Sequence, residues 1–163
     1  MSLEDIYALH QKIVSAENEV IAVVKADSGQ RWVQHEFGWW YRYTNQDYEY
    51  NDYAILLGRD TCRLIHETVY ALGSTGREGR EGGFLLDAIR EFDPSSGGPF
   101  CYQVMLREMS PGDTVQMLIP WNLAYGASGN MFIPPYTNIR ARLTIHTSPY
   151  ADIELAEDTI ANQ

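Results

Sequence analysis

The sequence predicts an α+β fold with an antiparallel sheet. Three observations carry that prediction. Apolar and polar residues alternate with period two in several segments after Gly38, the pattern of half-buried strands. One short segment between those strands has helical spacing instead. No strand–helix–strand alternation is present, so a doubly wound parallel sheet is not expected. At 163 residues the chain allows one domain plus an extension.

The first element is a helix. Ser2 can cap it, and Asp5 falls in the first turn, where the helix dipole favours a carboxylate. Ile6, Leu9, Ile13, Ala16, Val20 and Val23 recur three and four apart as an a/d-type stripe. Asp27-Ser28-Gly29 ends the helix. The stripe can pack on the body of its own chain, or it can form a dimer seam or stalk. Its length and its Ala make an unaided coiled coil marginal.

From Gly38 the period changes. Trp39, Tyr41 and Tyr43 share one strand face; Trp40, Arg42 and Thr44 share the other. Asn45 to Asn51 is polar and turn-rich. Cys62 to Leu72 is a second strand, with Cys62, Leu64, His66, Thr68 and Tyr70 on one side. The glycines and alternating charges of Gly73 to Gly83 form a loop or hairpin tip. Phe84 to Phe92 is a further strand, although Leu85 to Ile89 also fits a helix. Pro94 to Gly98 breaks the chain, and Pro99 suits the first turn of a helix whose buried face is Tyr102, Met105, Leu106 and Met109. Ser110-Pro111-Gly112-Asp113 stops it. Val115, Met117 and Ile119 alternate with Thr114, Gln116 and Leu118. A loop rich in Gly, Pro and aromatics runs from Pro120 to Thr137. In the last strand Ile139, Ala141, Leu143 and Ile145 face in, while Arg140, Arg142, Thr144 and His146 face out. The tail after Pro149 is acidic and expected to be poorly ordered.

Composition excludes several classes. Twelve Lys and Arg against 22 Asp and Glu give a net charge of −10, which argues against a nucleic-acid binder. Apolar residues at 45% and aromatics at 12% separate the chain from a disordered acidic one. The apolar runs are too short to span a bilayer. Cys62 and Cys101 can make one bridge or remain two buried thiols. Met1 leads straight into acidic, helix-like sequence, so no signal peptide is read there; a domain cut from a longer precursor would look the same.

Reactive groups are scarce. His10, His35, His66 and His146 show no metal-ligand spacing. There is no Gly-x-Ser-x-Gly elbow, no Walker loop and no dinucleotide fingerprint, and Gly126-Ala127-Ser128-Gly129 is too short to cradle a phosphate. Asp87 and Glu91 without a partner motif suit a solvated face better than acid/base work. No cofactor and no metal are expected. The aromatics of Phe37 to Tyr43, with Tyr48, Tyr50 and Tyr53, suit either a half-buried strand or a carbohydrate- or partner-binding surface.

The segment Pro111-Gly112-Asp113 through Ile119-Pro120-Trp121-Asn122-Leu123-Ala124-Tyr125-Gly126 resembles the C-terminal signature of FKBP-type peptidyl-prolyl cis-trans isomerases. In that family a Gly-led turn feeds a strand, and the strand feeds an Ala-Tyr-Gly loop. The likeness continues through Ile133-Pro134-Pro135 and a terminal strand from Thr137 to Ile145. It covers Phe37 to Ser148. It implies an FKBP-like antiparallel sheet wrapped around one short helix, with an N-terminal helical extension. The implied division is residues 1–36 as helix and linker, 37–148 as the domain and 149–163 as the tail. The helix followed by Phe37-Gly38-Trp39-Trp40-Tyr41 is similar to the gliding-motility lipoprotein branch of the family in Bacteroidetes, although no lipobox is present.

What the resemblance implies chemically agrees with the lack of reactive groups. Rotating an X–Pro bond crosses a barrier of roughly 18–20 kcal/mol. The twisted transition state loses amide resonance, so an apolar, water-excluding pocket favours it over the planar ground state. The resemblance makes Tyr125 the loop tyrosine whose hydroxyl bonds the substrate carbonyl, and Tyr102 the pocket floor where the family usually has Trp. Together these are the catalytic candidates. It makes Ile133 a pocket-rim aliphatic and places His66 where the family has a strand tyrosine pointing into the pocket. Ala141 stands where the family has an aromatic, which makes the pocket larger or shallower. Phe132 and Trp121 complete the substrate-binding set. The helix lacks the family's Gly-Trp-Glu-Glu-Gly, reading Cys101-Tyr102-Gln103-Val104-Met105. Phe92-Asp93-Pro94-Ser95-Ser96 is similar to the family's Phe-Asp-Ser-Ser but lies too close to the helix, which leaves the family's pocket aspartate unassigned.

The expected function is therefore prolyl isomerisation in exposed protein segments, assisting the folding of envelope proteins. A non-catalytic FKBP-like chaperone or protein-binding module is the alternative. The expected partners are proline-containing segments and a macrolide ligand, with no nucleic acid. By the same resemblance the native form is expected to be lipid-anchored in the periplasm or outer membrane; the a/d stripe, not the resemblance, offers a dimer through the N-terminal helix.

Overall fold

The structure, a computed structural model, describes residues 1–45, 63–72, 83–93 and 98–146. Expectations for Cys62, Tyr48, Tyr50, Tyr53, most of the Gly73 to Gly83 loop, Pro94 to Gly97 and the acidic tail lie outside these residues.

Helix α1 spans Leu3–Ala26. Its first turn is closed by a reciprocal box: Asp5 N–H donates to the Ser2 hydroxyl at 3.1 Å, and Ser2 N–H donates to the Asp5 carboxylate at 3.1 Å. At the other end the Trp32 indole N–H donates to Asp27 at 3.2 Å, and the Arg42 guanidinium lies 5.4 Å over the Trp32 ring. The apolar stripe divides in two. Of its residues Ala16 and Val20 are buried, Leu9, Ile13 and Val23 are half-buried and Ile6 is exposed, as are Leu3 and Tyr7 beside it. The helix thus packs on its own chain from Leu9 onward, and only its first turns carry apolar side chains into solvent.

Among the described residues the strands are β1 (Val33–Gln34), β2 (Trp40–Asn45), β3 (Arg63–Ala71), β4 (Phe84–Phe92), β5 (Thr114–Ile119) and β6 (Ile139–Ile145), with α2 (Phe100–Glu108) between β4 and β5. They form one sheet in the order β1-β2-β5-β6-β3-β4. β1 runs antiparallel to β2, with Val33 opposite Tyr41 and Gln34 opposite Trp40. The segment Phe84–Phe92 is a strand, so its helical alternative is set aside.

The chain divides into two compact units. One comprises Met1–Arg42, Val69–Leu86 and Gln116–Ala141; the other comprises Tyr43–Thr68, Asp87–Val115 and Arg142–Gln163. In the first, Val20, Leu72 and Leu118 form a core joined by Val23, Val24, Trp32 and Trp40. Leu118 shares a strand face with Thr114 and Gln116 yet is fully buried, because Val20 of α1 covers it. In the second, Tyr102, Met105, Leu106 and Met109 are all fully buried, the helical face that their spacing predicts.

The aromatic run is largely packing, with Phe37 49% exposed. Trp39 is fully buried, its ring 4.2 Å from that of His35 at 17°; Phe37 stacks on His35 at 5.4 Å and lies 6.1 Å from Trp39, so the three rings form one cluster. His35 Nδ1 accepts from Phe37 N–H at 3.2 Å, which holds the β1–β2 turn. Trp40 is committed to the α1 core. Trp39 therefore offers no open ring face for a glycan platform, while Trp40 is partly buried.

Candidate functional site

The segment from Trp121 to Asn138 is irregular but closely bonded. β5 ends at Ile119, and Trp121–Leu123 makes one 3-10 turn. Gly126 N–H donates back to Trp121 O at 2.9 Å, and Tyr136 N–H donates to Gly126 O at 3.1 Å. Asn130 ties the distal end: its side-chain oxygen accepts from Phe132 N–H at 2.8 Å and Ile133 N–H at 2.7 Å, while its own N–H donates to Ile133 O at 2.9 Å. Thr137 Oγ1 donates to Pro134 O at 2.8 Å. Gly129 has φ +62, and a Cβ there would meet Ile133 O at 2.2 Å. Two stretches of backbone cross at that point, which only glycine permits.

Four candidates share this loop. Tyr125 is half-buried, Phe132 is 54% exposed, and Ile133 is fully buried. Trp121 is buried, and its indole N–H donates to Lys12 O of α1 at 3.4 Å, with its ring edge-on to Tyr136 at 4.8 Å. The indole is thus occupied by α1. Ala141, on the buried side of β6, belongs to the same unit.

Tyr102 and His66 belong to the other unit. Tyr102 is fully buried on α2, its ring 6.2 Å edge-on to Phe92. Phe92 in turn lies 5.2 Å beneath the Arg90 guanidinium. His66 does not occupy the inward position that the resemblance gives it. β3 buries Ile65, Glu67, Val69 and Ala71, so by alternation His66 faces outward, half-exposed and bonded to Asp87. The inward acid is Glu67. It is wholly buried, accepts from Arg90 Nε at 3.0 Å, and its charge reaches Cys101 on α2. Burial first, and then Glu67, push the Cys101 thiol far up, outweighing two backbone hydrogen bonds that lower it. Cys101 is a free thiol.

Sequence reasoning missed Glu67, Arg90 and Asn138. A carboxylate at period two between Ile65 and Val69 signals a buried charge in need of a partner. Asn138 gave no such signal, because its partners lie 17 and 119 positions away. Among the described residues no cluster of three or more His, Cys, Asp or Glu could hold a metal ion, and no helix is long and apolar enough to cross a membrane.

No family model and no curated protein matches the chain. Solved structures do. A peptidyl-prolyl cis-trans isomerase from Pseudomonas syringae pv. tomato DC3000 matches with a TM-score of 0.59 at 17% identity, over 84% of this chain and 92% of that one. FkpA from Escherichia coli matches with a TM-score of 0.60 at 13% identity, over 86% of this chain and 62% of FkpA. This chain therefore spans less than two thirds of FkpA. At such identities the likeness is one of fold. The element order, the six-stranded sheet and these two matches together give the chain an FKBP-like α+β fold with an N-terminal helical extension.

Proposed function

We propose that this protein is an FKBP-type peptidyl-prolyl cis-trans isomerase. It turns X–Pro bonds in exposed protein segments and assists folding in the bacterial envelope. The observation that carries the reading is the bonded Trp121–Asn138 loop, which holds Tyr125 and Ile133 on an FKBP-like fold. Tyr125 donates its hydroxyl to the carbonyl flanking the proline. The exposed Phe132 of the same loop, backed by the buried Ile133, supplies apolar surface against which the twisted amide, with its smaller dipole, is favoured over the planar one. No ionised group and no covalent intermediate is needed.

The envelope location, the lipid anchor and the macrolide ligand rest on family likeness. The exposed Leu3, Ile6 and Tyr7 of α1 support a dimer through that helix. A protease-coupled proline-peptide assay tests the activity. Acceleration at micromolar protein is expected, with a fall of about tenfold for Tyr125→Phe, the loss of one donor to the transition state. No acceleration at that concentration overturns the reading.

Two observations favour a second reading, a non-catalytic FKBP-like chaperone. Tyr102 is fully buried, and the Trp121 indole is taken by α1. Suppression of aggregation with equal effect on proline-free clients would select it.

A further inference from the structure

Helix α1 holds both ends of the Trp121–Asn138 loop. Asn138 is the joint. It is 5% exposed, and its side-chain oxygen accepts from Trp121 N–H at 2.9 Å, so the last residue of the loop is bonded to the first. Its amide nitrogen donates to Glu19 of α1 at 3.2 Å. These partners fix the orientation of the amide, because a backbone N–H can only donate and a carboxylate only accepts. The backbone carbonyl of Asn138 accepts from Leu72 N–H at 2.8 Å, which anchors the joint at the end of β3. Seven residues before Glu19, two helical turns away, Lys12 makes the other pair of contacts. Its carbonyl accepts from the Trp121 indole, and its ammonium sits 3.9 Å over the Tyr136 ring. Tyr136 has a left-handed backbone, φ 57, which is uncommon for a residue with a side chain and is held by its neighbours.

We infer that Glu19 and Asn138 are positioning residues, through which α1 sets the conformation of the loop that carries Tyr125 and Ile133. The N-terminal helix is then part of the working site rather than a detachable lead-in. The functional half of this inference rests on the isomerase reading above; the structural half does not.

Two measurements on the full chain test it: hydrogen exchange resolved to segments, and the proline-peptide assay. Asn138→Asp keeps the acceptor for Trp121 N–H but sets two carboxylates against each other. Adding Glu19→Gln restores a donor and acceptor pair across the same gap. With Asn138→Asp, exchange in residues 122–137 should rise about tenfold more than in β5, which shares the strand but not the clip. Turnover should fall about tenfold in kcat with little change in KM, and the Glu19→Gln addition should restore both to within about threefold. Glu19→Ala is the milder variant if Asn138→Asp fails to fold, and it should loosen the same segment. Equal exchange increases in the loop and β5, or no recovery in the double variant, overturn the inference. The expected exchange pattern and recovery with no turnover in the unaltered protein would uphold the clip and overturn the isomerase reading.

Discussion

The Cβ that Gly129 lacks would stand 2.2 Å from the carbonyl oxygen of Ile133. That closeness explains the spacing of the loop. Asn130 must turn the chain back at once so that Ile133 N–H and O both reach it, and the return path runs directly over Gly129. Gly126 also has positive φ, +76, but nothing lies within 4 Å of its missing Cβ.

The two glycines therefore separate conformation from contact. Gly126→Ala should cost about 1–2 kcal/mol for its left-handed backbone alone. Gly129→Ala should cost distinctly more, because the Ile133–Pro134 backbone must also move. Denaturant midpoints check the first comparison. If the two variants are equally stable, the crossing at Gly129 is wrong. Isomerase activity, where present, should fall further for Gly129→Ala, since the shift displaces Ile133.

A second expectation concerns the charge inside β3. Glu67 is wholly buried while the side chain of Arg90 is 38% exposed. Removing the guanidinium takes a counter-charge from a buried carboxylate, whereas removing both charges leaves an apolar gap. Arg90→Met should thus destabilise by about 2–3 kcal/mol, below the fully buried case because the arginine is partly solvated. Arg90→Met combined with Glu67→Leu should recover most of that loss. Equilibrium unfolding of the three variants decides it; a double variant no better than Arg90→Met would mean that the pair contributes more than charge balance.

Much of this was legible because period and turn chemistry are local. β6 buries Ile139, Ala141, Leu143 and Ile145 as the alternation says, and α2 buries the four residues that its spacing selects. The Ser2 and Asp5 box needs only two residues three apart. Leu118 was not readable from its own strand, because Val20 of α1 covers it. His66 misled for a related reason. A motif alignment fixes position along β3 but not which side is inward, and a shift of one residue exchanges His66 for Glu67. The clip through Asn138 depends on residues far apart in sequence, so no local pattern announces it.

Cys101 should behave as an inert thiol. Burial raises its proton affinity, the nearby Glu67 raises it further, and the thiolate is the reactive form. Treating the native protein with iodoacetamide at pH 8 should leave Cys101 unmodified, while the same treatment in denaturant labels it. Peptide mapping by mass spectrometry reads Cys101 separately from Cys62. Native labelling of Cys101 at the rate of a free thiol would show that α2 opens readily from its core.

Asp5 gives a pH dependence of definite sign. Its carboxyl is held below the ordinary value of 3.8, first by the Ser2 backbone N–H and then by the Ser2 hydroxyl. A group whose pKa is lower folded than unfolded stabilises the folded form above the unfolded value. That contribution disappears as pH falls through the folded one. The first turn of α1 should therefore begin to loosen as pH falls below 3.8 and loosen fully once it falls through the lowered value, where the charge that favours the helix N-terminus is lost. Many carboxylates titrate in that range, so the useful quantity is a difference. Amide exchange at Leu3 to Leu9 in the unaltered protein should approach that of Asp5→Asn as pH falls from 5 to 2. Above pH 5 the unaltered protein should be the better protected. Parallel curves with a constant gap would mean that the charge on Asp5 does not hold this end of the helix.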